Sequence, residues 1–137
     1  MSSEPYITLS LDEIRSAPSD ETGATVWKPI RALFGVAAFG VNGFIGRESG
    51  DQVIEEHDEM DPARHEELYA VLRGRAEFQL DGKPIDAPAG TLVFVRDPSI
   101  VRKAVAREPD TAVLAIGAGP GQVFEPRSWD NPFAAKA

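Results

Sequence analysis

Two histidines and a dense group of carboxylates in the first half of the chain are the residues best suited to chemistry. His57 stands in the stretch EEHDEMD and His65 in RHEELYAVLRG, and the chain has no other histidine. On an extended strand, side chains at positions i and i+2 share a face. His57 and Glu59 would then point one way, and His65, Glu67 and Tyr69 would share a face on the following strand. Two neighbouring strands of this kind would bring imidazole and carboxylate groups together.

The acidic residues around the histidines form a cluster of like charges. Close packing of so many like charges is costly unless a positive group lies among them. A bound cation would supply that charge, but a solvated acidic face needs none. The residues concerned are Glu55, Glu56, Asp58, Glu59, Asp61, Glu66 and Glu67.

Several familiar catalytic and binding motifs are excluded. His65-Glu66-Glu67 begins like the zinc-protease helix motif, but Tyr69 stands where the second histidine belongs. The stretch IGAGPGQ follows a predicted strand, yet the residues after it cannot form the helix that would hold a pyrophosphate. DEMDPARHEE lacks the spacing of an EF-hand loop. No nucleophile elbow is present.

The composition describes an ordinary globular domain. The chain has 137 residues, of which 42% are hydrophobic and 26% charged, and it contains no cysteine. A disulfide framework and a thiolate metal site are therefore excluded. The net charge of −8 disfavours binding to nucleic acid. Without a signal pattern or a long apolar segment, we expect no membrane association and a cytoplasmic location.

Most of the chain is predicted to be β-structure. Ser10 and Glu13 have capping-box spacing, which predicts one short helix within residues 8–24. From Thr25 onward, short runs rich in β-branched and aromatic residues alternate with turn signals at residues 73–74, 81–82, 88–90 and 108–110. The runs are TVWKPI, LFGVAAFGVNGFIG, DQVIEEH, EELYAVL, AEFQLDG, TLVFV, IVRKAVA, TAVLAIG and QVF. No helical pattern separates them, so an all-β sandwich or closed barrel is predicted.

Residues 50–105 resemble the two motifs of the cupin family. In the first motif, six residues separate Gly50 from His57 where the family usually has five, and Glu59 stands where a second histidine is usual. Glu67 is followed after six residues by Gly74, as in the family. The second motif is more divergent. After Gly90, its later positions are occupied by Arg96, Pro98, Val101 and Val105.

This resemblance implies a single cupin jelly-roll barrel, a double-stranded β-helix, preceded by a short N-terminal helix. The implied divisions are an N-terminal segment at 1–24, the barrel at 25–125 and a C-terminal tail at 126–137. Alternating positions such as Glu67, Tyr69, Val71, Ala76 and Phe78 would face the interior. A homodimer is also implied, with Trp129 or the N-terminal strands at its contact.

The resemblance implies a metal site that is incomplete. Cupins that bind metal usually use three histidines and one glutamate. Here His57, Glu59 and Glu67 are the implied ligands, His65 is a possible substitute, and Val101 stands where the last ligand should be. The ion would be Fe, Mn, Ni or Zn.

Two functions follow as hypotheses. The first is a cupin-type protein that binds an unassigned small molecule and lacks the full metal site of the family. The second is a metal-dependent enzyme of the dioxygenase or isomerase type with an atypical His/Glu site. In either case, we expect Tyr69, Phe78, Arg96, Val101 and Arg102 to line the ligand pocket, where an arginine or the Tyr69 phenol would recognise a carboxylate or a sugar hydroxyl.

Overall fold

The computed structural model describes residues 4–18 and 25–134, and two antiparallel β-sheets dominate this part of the chain. The nine strands are β1 (Thr25–Lys28), β2 (Gly40–Gly46), β3 (Gln52–His57), β4 (Glu66–Arg73), β5 (Arg75–Leu80), β6 (Lys83–Pro88), β7 (Leu92–Val95), β8 (Arg102–Ala106) and β9 (Thr111–Ala118). One sheet has the order β1-β2-β9-β4-β7, and the other has the order β3-β8-β5-β6. This is the all-β architecture predicted from the sequence.

The hydrophobic core lies between the two sheets, where the inward-facing residues of each strand meet. Tyr69 and Val71 of β4 alternate with outward-facing neighbours, as do Ala76 and Phe78 of β5, and all four are at most 2% exposed. These residues belong to one buried cluster with side chains from β3, β7, β8 and β9. The predicted interior positions of β4 and β5 are therefore confirmed.

The turns between strands follow the glycine and aspartate signals of the sequence. Asp81 and Gly82, both with positive φ (50° and 80°), form the two-residue loop between β5 and β6. Such a loop favours these residues because its twist matches that of the paired strands. Gly74, Gly90 and Asp110 also have positive φ, at the other three predicted turns.

The N-terminal half contains two departures from the prediction. Of the helix expected within residues 8–24, the described part contains a single 3-10 turn, Leu11–Glu13, with the predicted cap: the Ser10 hydroxyl accepts a hydrogen bond from the Glu13 N–H. Residues 19–24 lie outside the described part of the chain. The LFGVAAFG segment, predicted as strand, begins instead inside a short helix, α1 (Ile30–Phe34), which Gly35 ends with φ +71°.

Burial explains why α1 forms despite the β-like residues of this segment. Ile30 packs with Ile14 and Val41 in a second apolar cluster, outside the main core. This tertiary packing outweighs local propensity, which is a weak predictor for short segments.

The QVF run at residues 122–124, also predicted as strand, lies in an irregular C-terminal segment. No helix in the described residues is long and apolar enough to span a membrane.

Candidate functional site

The candidate site lies where β3 ends and β4 begins, because these strand ends present their polar side chains to the same space. His57 is the last residue of β3, and Glu67 is the second residue of β4. Glu59 lies just beyond β3, and its backbone N–H donates to the Pro98 carbonyl over 2.9 Å. The side chains of His57, Glu59 and Glu67 converge, but not from two neighbouring strands as predicted: β3 and β4 belong to different sheets, and Glu59 lies beyond the end of β3.

His57 is the centre of this group. Its Nε2 lies 3.0 Å from Glu59 Oε2 and 3.2 Å from Glu67 Oε1, while its Nδ1 lies 2.7 Å from the Glu55 carbonyl oxygen. A carbonyl oxygen only accepts, so Nδ1 carries a proton. Burial opposes the charged form, but the hydrogen bonds to Glu59 and Glu67 outweigh it and raise the pKa of His57 to about 10. The ring is therefore an imidazolium at neutral pH.

Glu67 is held by two further donors from the barrel interior. Arg102 Nη1 donates to Glu67 Oε1 over 2.9 Å, and the Tyr69 hydroxyl makes a short hydrogen bond to the same oxygen. Arg102 is fully buried, and its Nε and Nη2 donate to the carbonyls of Ile100 and Asp97. Burial and the negative charge of Glu67 raise the pKa of the Tyr69 phenol, which stays protonated.

Glu59 has its own arginine, which comes from the C-terminal segment. Arg127 Nη2 donates to Glu59 Oε1 over 2.6 Å and lies 3.2 Å from Asp61 Oδ2. The Glu59 side chain is only 2% exposed. Burial would favour its neutral form, but the hydrogen bonds from His57 and Arg127 outweigh burial and lower the pKa of Glu59 to about 2. The carboxylate is therefore charged at all physiological pH values.

His65 lies apart from this group, although it was predicted as a substitute ligand. It is buried and its ring lies against Phe124, with 5.7 Å between ring centroids. Burial and the nearby Arg127 charge lower the pKa of His65, so the ring is neutral at pH 7. Among the described residues, the group that could hold a metal ion consists of His57, Glu59 and Glu67, one ligand atom of each lying within 4.8 Å of the others.

A cavity of about 870 Å³ opens beside these three residues. Its wall includes Tyr69 and His65, as well as aromatic and polar side chains that the sequence did not assign to a pocket. They are Trp27, Asn42, Phe44, Phe124, Arg127, Trp129 and Asp130. This volume lies within the range of small-molecule pockets in proteins.

Four residues expected in the pocket lie elsewhere. Phe78 is fully buried in the core, and Arg102 is covered behind Glu67. Arg96 is a surface side chain, 77% exposed, beside Glu66. Val101 is 38% exposed and lies beside the β5–β6 loop, where its N–H donates to Asp81 Oδ1. Because β-strands alternate, the inward side chain paired opposite His57 is Arg102. The motif spacing had put Val101 at the place of the last family ligand. In the structure, the next residue, Arg102, lies opposite His57 instead.

The C-terminal segment supplies the residues that sequence reasoning missed. Arg31 of α1 and Asp130 form a buried ion pair with 2.5 Å between Nε and Oδ2, and Trp129 lies against Trp27 with 6.0 Å between ring centroids. These contacts hold the segment against the cavity. Trp129 had been expected to cover an outer face or a subunit contact. No local signal could have revealed this pairing, since Arg31 and Asp130 are 99 residues apart in sequence.

Similar solved structures share this architecture. A sugar phosphate isomerase of the cupin superfamily from Silicibacter pomeroyi is 16% identical, with a TM-score of 0.66 over 82% of this chain and 75% of that chain. A cupin protein from Bacteroides fragilis is 17% identical, with a TM-score of 0.59 over 97% and 99%. Pac13, a nucleoside dehydratase from Streptomyces, is 14% identical, with a TM-score of 0.58 over 85% and 84%.

No protein-family model matches the sequence, and no curated protein matches it significantly. The structural similarity is nevertheless extensive, since it covers at least 75% of each chain in these three comparisons. The chain therefore has the fold of the cupin superfamily, as the motif resemblance implied.

Proposed function

We propose that this chain is a cupin-type small-molecule-binding protein in which arginines take the place of a metal ion at the mouth of the barrel. One observation carries the proposal: each carboxylate of the candidate metal group already has its own arginine. Arg102 is paired with Glu67, and Arg127 with Glu59. The sequence left open whether a positive group lies among the clustered carboxylates, and these two guanidinium groups supply that charge.

The charges of the site are balanced before any cation enters. Glu59 and Glu67 carry two negative charges, and Arg102 and Arg127 carry two positive ones. His57 adds a further positive charge, which Asp61 beside Arg127 offsets. A divalent ion bound to Glu67 Oε1 would share that oxygen with the Arg102 guanidinium, and Arg102 is buried where solvent screens poorly. The donor types suit a metal, but the electrostatic environment does not.

The cavity supports the binding part of the proposal. It combines an aromatic wall with a few fixed polar groups, which is the usual composition of a site for a small organic molecule. The fold also hosts small-molecule chemistry in its structural neighbours, which include a sugar phosphate isomerase and a nucleoside dehydratase.

Elemental analysis of protein purified without chelator tests the metal part of the proposal. We expect much less than one equivalent of iron, manganese, nickel or zinc per chain, and the same result for His57→Ala.

Mass spectrometry of small molecules released from the unfolded protein tests the binding part. We expect a retained organic molecule that Trp27→Ala, on the cavity wall, releases during purification.

The second candidate is a metal-dependent enzyme of the isomerase or dioxygenase type. The observation in its favour is the spacing of 3.0 and 3.2 Å from His57 Nε2 to the two carboxylates, which suits three ligands of one ion. Near-stoichiometric metal that disappears in His57→Ala would replace our proposal with this one.

A further inference from the structure

The charge of the cavity wall restricts what can enter it. Among the described residues, the lining contains six acidic side chains and one arginine, Arg127, and it contains no lysine. His57 also lines the cavity, and its Nε2 is bound to Glu59 and Glu67. The acidic ones are Glu55, Glu56, Asp58, Glu59, Glu67 and Asp130. An incoming ligand therefore meets mostly negative groups.

The arginines near the cavity are all committed to carboxylates. Arg127 is bound to Glu59 and Asp61, and Arg102 to Glu67. Arg31 is bound to Asp130. A phosphate or carboxylate on a ligand would thus compete with these carboxylates for a guanidinium, and displacing one would leave a buried carboxylate without its partner. Arg127 Nε has no hydrogen-bond partner among the described residues, but it is itself buried and so is not presented to an incoming anion.

The remaining acidic groups of the wall are free of such pairing. Glu55, Glu56 and Asp58 are exposed, and in the described ranges 4–18 and 25–134 none of them lies within 4.0 Å of a lysine or arginine nitrogen. Their uncompensated charge lies at the rim of the cavity. Like charges placed together across a binding interface oppose association, so this rim disfavours anionic ligands.

The aromatic part of the wall favours a flat or ring-shaped ligand. Trp27 and Trp129 are tilted by 53° to one another, and Phe44 and Phe124 line the same space. Trp27 Nε1 donates to Asn42 Oδ1 over 3.1 Å, which fixes both side chains on the wall. Aromatic faces bind the apolar face of a sugar or nucleobase, while polar side chains bind its hydroxyl and amide groups.

We propose that the cavity binds an uncharged, hydroxylated ring molecule, such as an unphosphorylated sugar or a nucleoside, and discriminates against its phosphorylated form. This inference rests on the proposed small-molecule-binding function and names its ligand class.

Ligand-observed NMR with matched probes tests the inference. The probes are uridine with uridine 5′-monophosphate, and glucose with glucose 6-phosphate. We expect at least one unphosphorylated probe to bind, and its phosphorylated partner to bind at least tenfold more weakly at low salt. Equal or tighter binding of the phosphorylated partner overturns the inference. So does a failure of both unphosphorylated probes to bind.

A charge-removal variant separates the rim effect from other causes of discrimination. Glu55→Gln/Glu56→Gln/Asp58→Asn removes three rim charges, and Glu13→Gln/Glu48→Gln/Glu108→Gln removes three exposed charges outside the cavity lining. Only the first variant should reduce the preference for the unphosphorylated probe, by threefold or more. An unchanged preference in that variant contradicts the role of the rim.

The two proposals fail in different experiments. Stoichiometric bound metal, or the absence of any retained or added small-molecule ligand, contradicts the proposed function. Preference for the phosphorylated member of a pair contradicts only the ligand class.

Discussion

Replacing Arg102 by methionine tests whether a buried guanidinium is what stabilises the carboxylate at the centre of the site. Methionine retains a long unbranched side chain but cannot donate to Glu67 or to the carbonyls of Ile100 and Asp97. The Arg102 side chain is fully buried and that of Glu67 is 15% exposed, so water compensates poorly for the loss. Removing one partner of a buried ion pair typically costs about 3–5 kcal/mol.

The structure places the expected loss toward the lower end of that range. Glu67 is partly exposed and keeps its hydrogen bonds from His57 and Tyr69. Against this, two backbone carbonyls lose their donor. We therefore expect the free energy of unfolding, measured by urea denaturation with an unchanged m-value, to fall by about 3 kcal/mol.

Arg107→Met is the matched control. Arg107 also pairs with a glutamate, Glu77, over 2.8 Å, but the two side chains are 46% and 31% exposed. An exposed pair of this kind contributes about 0–1 kcal/mol. If Arg102→Met costs no more than Arg107→Met, then Arg102 does not act as the buried counter-charge, and the charge balance behind the proposed function fails.

A double-mutant cycle and a metal titration extend this test. Combining Arg102→Met with Glu67→Gln should recover part of the loss, with a coupling of about 1–3 kcal/mol between neighbouring sites. Arg102→Met should also bind Zn²⁺ or Mn²⁺ more tightly than the unaltered protein, because the competing positive charge is gone. Equal metal affinity in the two proteins would contradict the idea that Arg102 takes the place of a metal.

Two further predictions concern protonation and backbone conformation. In metal-free protein, ring NMR signals of His57 should show no titration between pH 5.5 and 8.5, since its pKa is raised to about 10, whereas the pKa of His65 should lie below 6.5. Because its pKa is raised, His57 contributes stability that is fully present below pH 6.5, the ordinary pKa of histidine, and is lost as the pH rises through about 10. A His57 signal that titrates near pH 6.5 would contradict the assigned hydrogen bonds. Gly74→Ala should lower the unfolding free energy by about 2 kcal/mol more than Gly82→Ala. Both glycines have positive φ, but a Cβ at Gly74 would lie 2.8 Å from Thr111 Cα, whereas a Cβ at Gly82 would meet nothing within 4 Å. Similar losses of unfolding free energy in the two variants would refute this packing argument.

The fold class, most strand positions and the turns could be predicted from the amino-acid sequence. These features depend on local chemistry: alternation fixes which face of β4 is buried, and Asp81-Gly82 fixes the β5–β6 loop. The grouping of His57, Glu59 and Glu67 was expected from the motif resemblance, but the strand argument for it was wrong, because β3 and β4 lie in different sheets and Glu59 lies beyond the end of β3. Short helix α1 was not predictable, since packing rather than propensity selects it.

The tertiary structure decided the electrostatic character of the site. Arg102 faces inward because side chains alternate along β8, and the β3–β8 register places it opposite His57, where the predicted alignment had placed Val101. Arg127 reaches Glu59 from 68 residues away, and its segment is anchored by the distant pair of Arg31 and Asp130. The sequence shows the negative charges as one continuous cluster, but the positive charges that balance them come from separate parts of the chain. Only folding brings them together, because charge interactions depend on distance in space and not on distance along the chain.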